Sequence, residues 1–365
     1  FTLIMLKNGN YALRYGNNEM SPAGYLGYGL IEGHFFGNRR KADEFSRLSI
    51  QLAEQYGRSS SKSIIYFVTG ILFFHWTRHA SHGLAYLGKA VEYGTETGDV
   101  VIVGYAHCLL LEHRYWMGAA LRDLREQIQN KRRIAETIKH DNLAANAHLY
   151  DRVVGALAGP EPDSLEAELQ RLEQEEPLYT AQKDKTVPAT FFICRMHLYY
   201  LSDNPVRALH MDGKIRPLRE VMNGLLITAD YTLYRALALA AVCKTLPPPA
   251  RFGCLRQLRK CVRQLGKWAS SCKDNFEHKY LLAAAELSRL RGRTAEAVRL
   301  YDEAAASARK YGFLQYEALA SELAAKYYLA AGVFNMAGLC MRQACRAYRR
   351  WGAHAKARRL EERHP

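Results

Sequence analysis

Between residues 276 and 353 the apolar positions recur with the period of a helix, and the recurrence itself repeats. Tyr280, Ala283, Ala284, Leu287 and Leu290 fall at i, i+3, i+4, i+7 and i+10, which places them on one helical face. Forty residues on, counting from Gly292 to Gly332, Ala320, Leu323, Ala324, Tyr327 and Ala330 repeat that face. Each glycine is followed by a second predicted helix. The first carries Ala297, Tyr301, Ala304, Ala305 and Ala308, the next Ala337, Met341, Ala344, Cys345 and Tyr348. Both stop at an aromatic–glycine pair, Tyr311-Gly312 and Trp351-Gly352. There the glycine predicts a left-handed C-cap, and Arg309-Lys310 or Arg349-Arg350 complement the negative helix end.

A looser version runs near the other end of the chain. Gly37 is followed by Ala42, Phe45 and Tyr56-Gly57, and the stretch from Arg78 to Gly98 repeats the spacing through Tyr86, Ala90 and Gly94. Helix pairs of this kind cannot bury their apolar faces alone, whereas stacking them builds a continuous core. The fold expected is therefore all-α, an α–α superhelix or tetratricopeptide-like helical solenoid of eight or nine helix pairs. The signal is sharpest over 276–353, weaker over 22–160 and blurred between 188 and 275.

Two stretches interrupt the array. Residues 160–187 carry Pro160, Pro162 and Pro177, with Pro188 just beyond, and Glu161–Glu176 holds seven acidic residues against one arginine. Leu165, Leu169 and Leu172 give it a weak helical stripe, and Asp163 with Glu166 reads as a capping box. This divides the chain into an N-terminal half of the array (1–159), an acidic linker with a short helix (160–187) and a C-terminal half (188–365). The run Leu246-Pro247-Pro248-Pro249 predicts a rigid extended connection.

Composition changes this picture little. A chain of 365 residues can bury a large core, and no run of 18 uncharged apolar residues predicts a membrane span. Eight cysteines without a C-x-x-C pair fit small core residues in a reducing cytoplasm better than a disulfide scaffold. Starting at Phe1 and ending on Glu-Arg-His-Pro, the chain reads as part of a longer polypeptide. The net charge of +15 raises the question of a nucleic-acid partner. Such binding needs basic residues converging on one surface, and here they are spread along many helices.

Motifs that carry chemistry are missing. No phosphate loop, kinase signature or serine elbow occurs in the sequence, so no catalytic or cofactor-binding residue is assigned and no cofactor is expected in this stretch. His75, His79 and His82 have a spacing that zinc could use, but zinc requires a fourth ligand and a fixed outer shell. A solvated helix end is the preferred reading, and no metal ligand is assigned. Cys254 with Cys261 and Cys340 with Cys345 read as core packing. Glu277 and Glu317 recur at the repeat spacing and read as structural or surface positions.

The helix after the prolines is more informative. Leu255, Leu258, Val262 and Leu265 predict its buried face, and Arg256, Arg259, Lys260, Arg263 and Lys267 occupy the other. A solvated face is one reading. Docking of an acidic surface, from a partner or from the segment 161–176, is the other. The row Arg342, Arg346, Arg349 and Arg350 carries the same two readings.

The run "NFEHKYLLAAAELSRLRGRTAEAVRLYDEAAASARKYGFLQYEALASELAAKYYLAAG", followed by "AYRRWGAHAKARRLEERHP", resembles the helical array of large signalling proteins. These combine a serine/threonine-kinase-like domain, a STAND-type AAA ATPase, a tetratricopeptide-like array and often a sensor histidine kinase. Their arrays end in a similar Tyr-x-Arg-Trp-Gly-Ala-x-Ala-Lys stretch, here Tyr348, Arg350, Trp351, Gly352, Ala353, Ala355 and Lys356. A Leu-Glu-x-x-Tyr-Pro follows, here Leu360, Glu361 and Pro365, with His364 in place of the tyrosine. "GYLGYGLIEG" at 24–33, "HW" at 75–76 and "ETGD" at 96–99 are similar to the N-terminal half of such arrays. The resemblance implies a regulatory, non-catalytic module that senses a ligand or partner and holds or releases an ATPase. Its expected partners are other domains of the same polypeptide, a protein or peptide, or a small-molecule effector. The alternative from a different class is a basic solenoid binding RNA or another polyanion.

Overall fold

The computed structural model describes residues 2–34, 36–161 and 163–364. Among them are nineteen α-helices, joined by short turns, and no strand. Helices pack mainly against their neighbours in sequence, as the repeat pattern predicts for an all-α solenoid.

Two compact units are present. The first takes the chain up to His113, together with Lys131–Ala144 and Gly224–Leu226. It contains α1 (Thr2–Tyr15), α2 (Ser21–His34), α3 (Arg39–Tyr56), α4 (Ser59–Leu72) and α5 (Ser81–Thr97). Parts of α6 (Val100–Trp116), α7 (Leu121–Ile138) and α8 (Asp141–Ala158) also belong to it. Its core advances along the chain: Met5, Leu26, Ala42, Ile65 and Phe73 form one cluster, and Tyr66, Leu87, Ala90 and Ala106 the next. The glycine-rich start of α2 has a packing reason. A Cβ on Gly24 would lie 2.4 Å from the backbone nitrogen of Gly9, so α1 and α2 cross nearly backbone to backbone.

The second unit holds the remaining parts of α6, α7 and α8 and everything after them except Gly224–Leu226. The acidic segment forms α9 (Ser164–Gln174) and α10 (Glu176–Thr180). Four pairs follow: α11 (Thr186–Leu201) with α12 (Pro205–Ile215), α13 (Ile227–Val242) with α14 (Pro248–Ser271), α15 (Lys273–Leu290) with α16 (Thr294–Lys310), and α17 (Leu314–Ala330) with α18 (Phe334–Trp351). A last helix, α19 (His354–Arg363), packs on α18.

First and second helices of these pairs differ in kind. In α11 every residue from Val187 to Tyr199 is buried, and in α17 every residue from Gln315 to Ala325. By contrast α16 and α18 bury single stripes, such as Ala297, Tyr301, Ala304 and Ala308 in α16. The first helices also contact one another, α11 with α13, α13 with α15 and α15 with α17. A helix enclosed on several sides needs small residues for close approach and aromatics for the larger gaps, which is what the alanine- and tyrosine-rich repeats supply.

The interior is not purely apolar. Asp230 on α13 and Lys279 on α15, both fully buried, pair at 2.6 Å. The Tyr316 hydroxyl on α17 donates to the same carboxylate, and the Lys279 ammonium lies 5.1 Å from the Tyr316 ring centre. Further along, Glu322 of α17 takes hydrogen bonds from the Lys356 ammonium at 2.8 Å and the Tyr348 hydroxyl at 2.7 Å. Lys356 also donates to the Leu201 carbonyl of α11 at 2.8 Å. In the stretch Tyr348–Lys356 the tyrosine and the lysine converge on one buried glutamate, and Trp351 itself is fully buried. Burial pushes the Lys279 and Lys356 ammoniums down from their usual range, and the carboxylate partners oppose that shift.

Several local expectations need revising. Gly292, Gly312, Gly332 and Gly352 have the left-handed φ expected of C-caps, from +74° to +97°, but Gly57 is extended at φ −81°. Only Pro247 of the proline run is extended, because Pro248 and Pro249 lie in the first turn of α14. A missing N–H costs nothing there. The Asp163 side chain makes no capping hydrogen bond. The Ser164 hydroxyl instead accepts one from the Glu161 backbone N–H.

Candidate functional site

The basic helix predicted from the sequence is α14. Its buried side holds Cys254, Leu258, Cys261, Leu265 and Trp268. Arg256, Arg259, Lys260, Arg263 and Lys267 are all exposed. Among the described residues none of these five makes an ion pair. The second basic row behaves differently. Arg349 pairs with Glu361 at 2.6 Å, and Arg350 lies 3.6 Å from Glu317.

The five do not act as one face. Arg259 and Arg263 border an open groove of about 620 Å³ between α14 and α15, whereas Arg256, Lys260 and Lys267 lie outside its lining. Across from them stand Arg291 and, at the other end, Lys273 beside Glu277. Apolar atoms of Val262, Ala269, Leu281 and Leu287 make the floor, with Tyr280 against Gly266. The groove therefore combines a cationic rim with a hydrophobic base. A polar anion alone would leave that base uncovered, but an acidic amphipathic segment would satisfy both.

The acidic segment 161–176 does not supply that anion. Five of its seven carboxylates are engaged elsewhere in the second unit. Glu166 meets Arg359, Glu168 and Glu175 meet Arg152, and Glu173 meets Arg207 at 2.8 Å. Glu176 is held by the buried Arg195 and by Lys214, both at 2.5 Å. Burial alone would raise the Glu175 and Glu176 carboxyls, but hydrogen bonds from these cations bring both below their usual range. The sequence-based idea that this segment clamps onto α14 is thus corrected: the arginines that hold it sit on α8, α11, α12 and α19.

The histidine trio is split. His75 is buried and hydrogen-bonds the Gly224 carbonyl at 2.9 Å, while His79 contacts the Ser81 hydroxyl and His82 is exposed. The expectation of a solvated helix end holds for His82 and fails for His75. All eight cysteines are buried, and no disulfide joins them. Burial raises the Cys254 thiol to about 12 and the Cys272 thiol to about 11, so thiolate chemistry is suppressed at both. Glu277 accepts a hydrogen bond from the Ser307 hydroxyl, and Glu317 is buried against Arg309 at 2.9 Å.

Sequence reasoning missed Arg291 and Lys273 as neighbours of the α14 arginines across the groove, because Lys273 begins the next helix and Arg291 lies just past its end, at positions without a shared period. It also missed the buried pairs. The signal available was a lysine, Lys279, three residues after Phe276 and just before the apolar run Leu281–Ala285.

These features define a helical-repeat protein whose second unit carries an open groove rimmed by Arg259 and Arg263, which make no ion pair among the described residues. No protein-family model matches this chain, and no curated protein matches it.

Proposed function

We propose that the chain is a non-catalytic interaction module that docks an acidic, partly apolar segment in the α14–α15 groove. The observation that carries this reading is the pair Arg259 and Arg263, exposed and without carboxylate partners, beside an apolar floor. The occupant is a protein segment, from another domain of the same polypeptide or from a separate protein. The resemblance over residues 266–365 supports placing the module in an ATPase-coupled, STAND-type signalling protein as its sensor. Eight buried cysteines, none in a disulfide, support a reducing, cytoplasmic setting. No helix among the described residues is long and apolar enough to cross a membrane.

RNA is the weaker occupant, since the groove floor is aliphatic and Glu277 adds a negative charge to its lining. Stacking platforms for single-stranded RNA need exposed aromatic faces in series, and Tyr280 is the one aromatic lining this groove.

Fluorescence anisotropy of the full chain with a helical Leu/Glu-patterned peptide, against a uridine oligonucleotide of equal charge, tests the proposal. The peptide is expected to bind more tightly, and Arg259→Glu with Arg263→Glu to weaken it at least about tenfold, or 1.4 kcal/mol. Arg342→Glu on the exposed face of α18 serves as the control and should change little. Tighter binding of the oligonucleotide, or a peptide affinity indifferent to Arg259 and Arg263, would overturn it.

A further inference from the structure

A second cavity, of about 350 Å³, lies in the second unit where α11, α13, α15 and α17 end. That volume falls at the lower end of the range for small-molecule sites, roughly 300–1,000 Å³. Its apolar wall comes from Leu323, Ala330, Ala241 and Pro205, and two tyrosines, Tyr200 and Tyr327, add ring surface. Two ion pairs also line it. One is Glu286 with Arg289 at 2.6 Å on α15, the other Asp203 with Lys326 at 2.5 Å, bridging the α11–α12 turn and α17.

These pairs leave unused capacity. Arg289 employs Nε and Nη2 on Glu286 and the Ala240 carbonyl, and its Nη1 makes no hydrogen bond among the described residues. Lys326 gives one proton to Asp203 and one to Glu322, which leaves the third of an ammonium's donors. The Tyr200 hydroxyl likewise has no described partner. Burial and the nearby Glu286, Glu322 and Asp203 carboxylates raise its pKa well above normal, so it remains a neutral donor. Three donors can therefore meet a ligand carboxylate. A purely anionic ligand would also face Glu286, Asp203 and the negative C-terminal ends of the surrounding helices. Those same groups favour a positive charge placed beside the carboxylate.

We propose that this cavity binds a small zwitterion of the α-amino-acid class with an apolar side chain. The carboxylate is taken by Arg289, Lys326 and Tyr200, the ammonium by Asp203, Glu286 and the helix ends, and the side chain by Leu323, Ala330 and Tyr327. The site is separate from the α14–α15 groove and does not depend on it.

Isothermal titration calorimetry of the full chain with L-phenylalanine and L-leucine tests this. Hydrocinnamate, which has the carboxylate alone, and phenethylamine, which has the ammonium alone, are the comparison probes. Binding of an amino acid is expected, at least about tenfold tighter than either comparison probe. Ala330 is exposed, so Ala330→Phe should fill the cavity and abolish binding without lowering the melting temperature. Tyr200→Phe, which keeps the ring, should weaken binding severalfold, and Arg263→Glu in the groove should leave it unchanged. Absence of binding by both amino acids at millimolar concentration would overturn the proposal. So would equal affinity for the singly charged probes, or binding that survives Ala330→Phe.

Discussion

Asp203 shows how much one side chain carries in this molecule. It is one of two non-glycine residues described with positive φ, at +60°, a conformation that aspartate and asparagine tolerate better than most residues. Its carboxylate takes Lys326 at 2.5 Å and Arg363 at 2.6 Å, with Lys356 at 3.9 Å. Burial pushes the carboxyl up, but Lys356, Lys326 and Arg363 outweigh it and hold the group at about 2. An unfolded aspartate titrates near 3.9. The stability it contributes is therefore complete above about pH 4 and is lost as pH falls through about 2, on the order of 2 kcal/mol in all. Asp203→Asn keeps the backbone conformation and removes only the charge. It is expected to lower the melting temperature at neutral pH and to flatten its fall between about pH 4 and about pH 2. A variant whose acid limb runs parallel to that of the parent would show that these ion pairs contribute nothing net.

At the scale of the element, repeat ends and repeat faces were legible because both are local. The left-handed glycine after Tyr311 has φ +80°, and a Cβ there would meet no atom within 4 Å. Any cost of a side chain at this position is thus backbone cost rather than collision. Gly312→Val is expected to lose about 1–2 kcal/mol, since a β-branched residue resists the left-handed region. Arg293→Ala should lose little, because its contact with Glu296 is a solvent-exposed pair at 3.4 Å. Equal melting temperatures for the two variants would refute the role of Gly312. What could not be read locally was which helices are enclosed. The alanine stripes of α15 and α17 predict one buried face, whereas α17 is buried all round over Gln315–Ala325. Enclosure depends on how many neighbours a helix has, and the amphipathic period counts only one.

For the whole molecule, the sequence excludes a phosphate loop, and without one side chains rarely cradle a triphosphate. The chain is expected to show no magnesium-dependent shift in melting temperature with ATP at micromolar concentrations. A shift would point to a nucleotide site built without the usual loop. The periodic part of the architecture follows from the sequence by itself. Helix pairing, the caps at Gly312 and Gly352, and the exposed basic row of α14 all rest on spacings of a few residues within one helix or one turn. Only the tertiary structure decided which charges are engaged. Lys279 finds Asp230 across 49 residues, Lys356 finds Glu322 across 34, and Arg359 finds Glu166 across 193. A carboxylate gives no local sign of a partner so distant. The acidic segment accordingly looked available to α14 in the sequence, and in the folded chain five of its seven carboxylates are already held by other cations, leaving Arg259 and Arg263 open to a partner of another origin. The same reason hid the small cavity, whose walls come from the ends of four helices that meet only when the array is stacked.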